Sequence, residues 1–164
     1  MAHYVNNKTL YIHMKEYREK LELSKQNEEE PPRIPNYIGE CIYLICNKLA
    51  YKPNFMNYTY KDEMISDGVE NCVASVNNFN PEKSTNPFAY FTQIAWNAFL
   101  RRIAKEKKQT YIKHKNFENI YSINEMDSIF HDHKNVNMGM NEYSADVIRN
   151  FEEKERQKKE GNTK

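Results

Sequence analysis

Residues 79–108 read FNPEKSTNPFAYFTQIAWNAFLRRIAKEKK, a turn followed by the most strongly patterned helix of the chain. Asn78–Pro81 breaks the preceding pattern, and Asn86-Pro87 then opens a helix: Asn86 as its cap, Pro87 in the first turn, where no intrahelical bond is lost. At 100° per residue, Phe88, Phe91, Ala95, Phe99 and Ile103 fall on one side, a stripe suited to a core. Tyr90, Gln93, Asn97 and Arg101 line the opposite edge. The helical pattern is expected to run to about Lys115.

Three further helices are predicted upstream. Asn7 or Thr9 caps the first, where Leu10, Met14, Tyr17 and Leu21 recur at i, i+4, i+7 and i+11. It ends in the linker SKQNEEEPPRIPN, whose prolines forbid continuation. Ile38, Ile42, Ile45 and Leu49 repeat the spacing in a second helix, widened by Cys41 and Leu44 and stopped at Pro53-Asn54. A third starts near Tyr60, with Met64, Ile65, Val69, Cys72, Val73 and Val76 expected inward and Asp62, Glu63, Ser66, Asp67, Glu70 and Asn71 outward. From Asn116 to Tyr143 the chain is rich in Asn, Asp and His, and an irregular segment is expected. Ser144–Lys159 is read as a final helix, marginal on its own. The expected fold class is therefore all-α. Its parts are an N-terminal helix (1–26), a linker (27–36), a helical domain (37–115) and a poorly structured or helical C-terminal tail (116–164).

The composition supports this reading. Of 164 residues, 39% are hydrophobic and 29% charged, and only four are Gly and six Pro, which favours helices over a sandwich or barrel. Three cysteines, Cys41, Cys46 and Cys72, sit in apolar helical patterns, and their odd number without a secretory signal points to reduced core thiols. No apolar run reaches transmembrane length, so neither a membrane nor a secretory route is expected. The net charge is only +1, but Arg101 to Lys115 carries seven Lys or Arg against Glu106 alone, while Glu28, Glu29 and Glu30 form an acidic run. Such a chain is expected to hold nucleic acid weakly alone and to act with a partner.

The outer edge of the 86–115 helix combines three chemistries. Aromatics stack on bases, Gln and Asn bond adenine bidentately, and Arg holds guanine or phosphate. Each signal has a blander reading, since exposed amides usually only face solvent and aromatic helices usually only pack. A wider pattern gives the stretch more weight. From Asp62 to Ile103 the chain resembles region 2 of the sigma-70 family, the promoter-specificity subunits of bacterial RNA polymerase. The family's D-L-I-x-E-G helix reads here Glu63-Met64-Ile65-Ser66-Asp67-Gly68. Its F-D-P-E-R reads Phe79-Asn80-Pro81-Glu82-Lys83, and its aromatic helix Phe88–Arg102, without a gap. FAYFTQIAWN is also similar to the F-x-A-W-L-x-x-I-A-x-N of the smaller, extracytoplasmic-function members. Within the family, the phrases YVNNK (Tyr4–Lys8), Asn86–Gln93, Asn97–Phe99 and the bases of Arg101–Lys108 resemble the short late-transcription sigma factors of T-even-like bacteriophages.

The resemblance implies a compact sigma region 2 domain preceded by an extra helix. It implies that Glu63, Ser66, Asp67, Glu70 and, at the edge, Val73 dock on the coiled coil of the largest subunit of the bacterial RNA polymerase core. Gly68 is expected to allow close backbone approach, although a mid-helix Gly costs about 1 kcal/mol relative to Ala. It implies that the aromatic helix reads promoter DNA at the upstream edge of an AT-rich −10-like element and traps flipped bases. Tyr90 falls on the base-stacking position with Phe88 or Trp96 nearby, Asn97 on the amide that reads the first base pair with Gln93 beside it, and Arg101, Lys105 and Lys83 on backbone phosphates. Unstacking a base costs a few kcal/mol, and each aromatic stack returns roughly 1–3 kcal/mol. The implied setting is the cytoplasm of the bacterial host.

Two departures stand out. The family's paired tryptophans are Gln93 and Ile94 here, with the single Trp96 two positions on, so melting is expected to lean more on the polymerase. Nothing after Lys115 resembles the two-helix module that reads the −35 element. The phage late sigma factors replace it by tethering to a sliding clamp through a hydrophobic C-terminal motif, with a late co-activator as a second link. The only candidate clamp-binding residues are Val147, Ile148 and Phe151, which do not form the expected aromatic-leucine motif.

An enzyme is the main rival class. His131-Asp132-His133 with Glu125 and Asp127 lacks the spacing of a zinc or di-metal centre, and no CxxC, Gly-rich phosphate loop or nucleophile elbow occurs. No catalytic role, cofactor or metal is expected. A polymerase adaptor of co-activator or anti-sigma type, which does not bind DNA, is the remaining alternative. It keeps the Glu63–Glu70 face and leaves Tyr90, Gln93 and Asn97 without a task.

Overall fold

The computed structural model describes residues 4–130 and 142–161, with 121–130 as backbone only. Among the described residues the chain is all-helical and has no strand: α1 (Asn7–Gln26), α2 (Asn36–Ala50), α3 (Lys61–Ala74), a 3-10 turn (Val76–Asn78), α4 (Pro87–Phe130) and α5 (Glu142–Gly161). The contacts divide it into two compact units, 1–102 and 103–164.

In the first unit, Asn6 starts α1 by accepting hydrogen bonds from the backbone N–H groups of Lys8 and Thr9. Leu10, Met14, Tyr17 and Leu21 are all buried, as the periodicity predicts. Beyond Gln26 the chain turns through a left-handed Glu28 (φ 58°) before the prolines, so α1 stops where the linker begins. α1 belongs to this unit and is tied into it by polar contacts. The Tyr17 hydroxyl donates to Asn77 Oδ1 (2.9 Å) and Arg18 Nη1 to the Asn77 carbonyl (2.8 Å).

α2 carries the widest apolar face, with Ile38, Cys41, Ile42, Ile45, Cys46, Leu49 and Ala50 buried, and it packs on both α1 and α3. Each Ile or Leu so buried is worth about 1.5–3 kcal/mol of transfer free energy. Phe55, in the loop after α2, is 1% exposed and meets the edges of Phe99 and Trp96 at 5.1 and 4.7 Å between ring centroids.

α3 departs from expectation in its orientation. Its buried row is Met64, Gly68 and Cys72, while Val73 is 40% exposed and Asp67 and Asn71 are half-buried. Gly68 permits this arrangement. A Cβ there would stand 2.8 Å from Phe99 Cε1 and 3.1 Å from Cys46 Sγ, so the glycine's close approach is to its own core.

Two asparagines cap α4. Asn86 Oδ1 accepts the Ala89 N–H (3.0 Å), and Asn7 of α1 accepts the Phe88 N–H (3.1 Å). Tyr4 meets Phe88 edge to face, so the YVNNK phrase straps the start of α4. Phe91, Ala95 and Phe99 are fully buried and Phe88 half-buried.

The second unit corrects the expected irregular segment: α4 continues through 116–130. The physical reason is that Glu118, not an aliphatic residue, is half-buried there, while Phe117 and Ile120 are exposed, so no apolar stripe marks the segment; just before it, Tyr111, His114 and Lys115 are the half-buried positions. They meet α5 running antiparallel. Tyr111 stacks on Phe151 (4.4 Å, 15°) and donates to Glu152 Oε1 (3.1 Å), while His114 Nδ1 lies 2.9 Å from Ser144 Oγ. Lys115 bridges Glu118 at 2.7 Å and Glu152 at 3.5 Å. Residues 131–141, which include His131, Asp132 and His133, lie outside the described residues, as do the side chains of Glu125 and Asp127.

Candidate functional site

The outer edge of α4 carries the amide pair expected from the sequence. Gln93 and Asn97 are exposed, one helical turn apart, and Gln93 Nε2 donates to Asn97 Oδ1 at 3.2 Å. That bond leaves Gln93 Oε1 as an acceptor and Asn97 Nδ2 as a donor. Together they complement the N6–H donor and N7 acceptor that adenine shows in the major groove.

The flanking groups are less free. Tyr90 is half-buried, edge-on to Phe79 and Phe91 at 5.2 Å each, and its hydroxyl donates to the Ser75 carbonyl at 3.0 Å. Burial, and next the nearby Cys72 thiol, push its pKa above the usual phenol value. Arg101 is exposed, but its Nη2 donates to Asn71 Oδ1 at 2.7 Å. Trp96 is half-buried against Phe55, and Phe88 is half-buried under Tyr4. Lys83 is exposed in the turn before α4, a turn tightened by Asn80 Oδ1 accepting the Glu82 N–H. Lys105 is exposed on the part of α4 that belongs to the second unit.

On α3, Glu63, Ser66, Glu70 and Val73 are exposed and form one outward face. Asp67 is the exception. Both of its oxygens are taken by Arg102, Nε to Oδ2 at 2.6 Å and Nη2 to Oδ1 at 2.7 Å. A forked pair of this kind fixes both side chains, because two parallel bonds leave the guanidinium no rotation. Arg102, Asn71, Ser75, Phe55 and Phe79 received no site role from the sequence, yet they hold the groups that did. A helical wheel assigns Asp67 and Asn71 outward because it cannot show that α4 lies over that side.

In the second unit, Ile148 is 5% exposed, Phe151 stacks on Tyr111 and Val147 is half-buried. The apolar cluster of the tail is thus engaged in packing against its own helix partner. An open cleft of about 270 Å³ beside it is lined by Lys115, Arg149 and Arg156 together with Glu118, Glu152 and Glu153, so its charges balance. Among the described residues no three His, Cys, Asp or Glu side chains converge as metal ligands, and no helix is long and apolar enough to cross a membrane.

No family model matches the chain, and no curated protein matches it.

Proposed function

We propose that this chain is a sigma factor that binds the bacterial RNA polymerase core through α3 and directs initiation at phage late promoters. On this reading it recognises an AT-rich −10-like element through α4 and helps to melt it. The observation that carries the reading is the Gln93–Asn97 pair, whose outward acceptor and donor match adenine on the edge that also bears Tyr90 and Arg101. The resemblance of residues 62–103 to sigma region 2 supports the same assignment.

Polymerase docking uses Glu63, Ser66, Glu70 and Val73, which present two carboxylates to the basic coiled coil of the largest subunit. DNA contact uses Asn97 and Gln93 for bases, Tyr90 for stacking, and Arg101, Lys105 and Lys83 for phosphates. The net charge of +1 gives little attraction to DNA in the absence of polymerase. Promoter recognition therefore follows assembly with the core. A sliding clamp and a late co-activator remain part of the proposal as partners, but the clamp contact is not assigned to Ile148 and Phe151, whose side chains are packed.

A second reading, the non-DNA-binding polymerase adaptor, is favoured by one specific observation: Tyr90 and Arg101 are both engaged by α3. Permanganate footprinting of an AT-rich promoter with core polymerase and the protein separates the two. The sigma reading predicts reactive thymines that depend on the protein, and core-bound protein that leaves the duplex unreactive favours the adaptor. Absence of co-elution with core polymerase refutes both.

A further inference from the structure

Three polar positions of α3 and its cap, Asp67, Asn71 and Ser75, stand one helical turn apart, and each holds a side chain of α4. The Asp67 carboxylate takes Arg102, the Asn71 amide takes Arg101, and the Ser75 carbonyl takes the Tyr90 hydroxyl. The ladder is also tied along its own length. Asn71 Nδ2 donates to the Asp67 carbonyl (2.7 Å), which turns Oδ1 toward Arg101, and Ser75 Oγ donates to the Asn71 carbonyl (2.8 Å). Two of its rungs thus hold groups proposed to meet DNA. The third, Asp67, stands among the groups proposed to meet polymerase.

We infer that Arg102 is a positioning residue: through its forked pair with Asp67 it holds the DNA-reading edge of α4 in register with the docking face of α3. The inference rests on the sigma reading above and deepens it. Asp67 becomes an internal strut, and the direct polymerase contacts fall to Glu63, Ser66, Glu70 and Val73. Arg102 and Asp67 are 17% and 27% exposed, so the pair is screened less than a surface ion pair and holds the two helices together in one geometry. Asn71 and Ser75 carry the same displacement to Arg101 and Tyr90.

The test compares wild type with Arg102→Lys, which keeps the charge and stem but loses the fork, and with the exchange Asp67→Arg plus Arg102→Asp. Three quantities are read on the full chain: co-elution with core polymerase, thermal midpoint, and the rate of permanganate-detected promoter opening at equal core occupancy. Arg102→Lys is expected to bind core as wild type does and to open the promoter about tenfold more slowly, a loss typical of one coupled contact. The exchange is expected to restore opening, because it rebuilds the fork with reversed polarity. If the exchange does not fold, Arg102→Lys decides alone. Wild-type opening by Arg102→Lys overturns the inference. So does opening that falls only with the folded fraction, loss of core binding by Arg102→Lys, or a folded, core-bound exchange that opens no faster than Arg102→Lys. Failure of the wild-type protein to bind core or open any promoter refutes the sigma reading itself and is distinguished by that control.

Discussion

Arg102 reaches from α4 to grip both carboxylate oxygens of Asp67 on α3, at 2.6 and 2.7 Å. The pair is neither deeply buried nor freely solvated, so it lies above the 0–1 kcal/mol of an exposed ion pair. Arg102→Ala is expected to lower unfolding stability by about 1–3 kcal/mol, since it strands a half-buried carboxylate. Urea denaturation measures the loss, and a change no larger than that of the exposed pair Lys158–Glu155 contradicts it.

Gly68→Ala sets two effects against each other. Alanine gains about 1 kcal/mol of helix propensity over glycine. Its Cβ, however, meets the ring of Phe99 at 2.8 Å and the sulfur of Cys46 at 3.1 Å, both fully buried. Overpacking a core typically costs about 1–3 kcal/mol, and at 2.8 Å the fully buried ring must shift to admit the methyl group. The variant is expected to melt at a lower temperature than wild type, and a stabilised variant contradicts this packing.

These two sites also mark how far the sequence carries. The stripe Leu10, Met14, Tyr17 and Leu21, the apolar face of α2 and the Asn86 cap are legible because aliphatic periodicity and cap chemistry are local. Residues 116–130 are not, because within 116–120 the half-buried position is the carboxylate Glu118, while the apolar Phe117 and Ile120 are exposed, so no aliphatic stripe marks the helix there. Phe55 is one aromatic in a turn-rich loop, and only the tertiary fold shows it filling the space beside Phe99 and Trp96. On α4, the exposed Gln93–Asn97–Arg101 edge was readable, whereas the α3 groups that hold Tyr90 and Arg101 were not.

Glu63 and Glu70 are exposed on α3 and have no part in the Arg102 clasp. Glu63→Lys with Glu70→Lys is expected to leave the thermal midpoint nearly unchanged, because exposed charges contribute little to folding. On the proposed docking it is expected to abolish co-elution with core polymerase, since like charge would then face the basic coiled coil. Undiminished co-elution contradicts the docking face.

Burial raises the pKa of the Tyr90 hydroxyl, and of Tyr17 likewise, above the ordinary 10.0. A raised folded-state value means that the stability it brings is intact below pH 10 and is lost as pH rises through the folded value. The urea midpoint is therefore expected to fall above pH 10, and to fall less in Tyr90→Phe. At neutral pH Tyr90→Phe is expected to cost about 1 kcal/mol, from the lost bond to Ser75, while keeping the ring. Tyr90→Ala removes the ring and is expected to reduce thymine reactivity with core binding spared. Equal opening by Tyr90→Ala and wild type contradicts the stacking role.

On the proposed sigma reading, this chain gives bacterial core polymerase a promoter. Run-off transcription on an AT-rich late-promoter template, with and without the protein, tests it most directly. A discrete transcript is expected that appears only when the protein is present and is lost with Asn97→Ala. Identical transcripts from core polymerase with and without the protein contradict it.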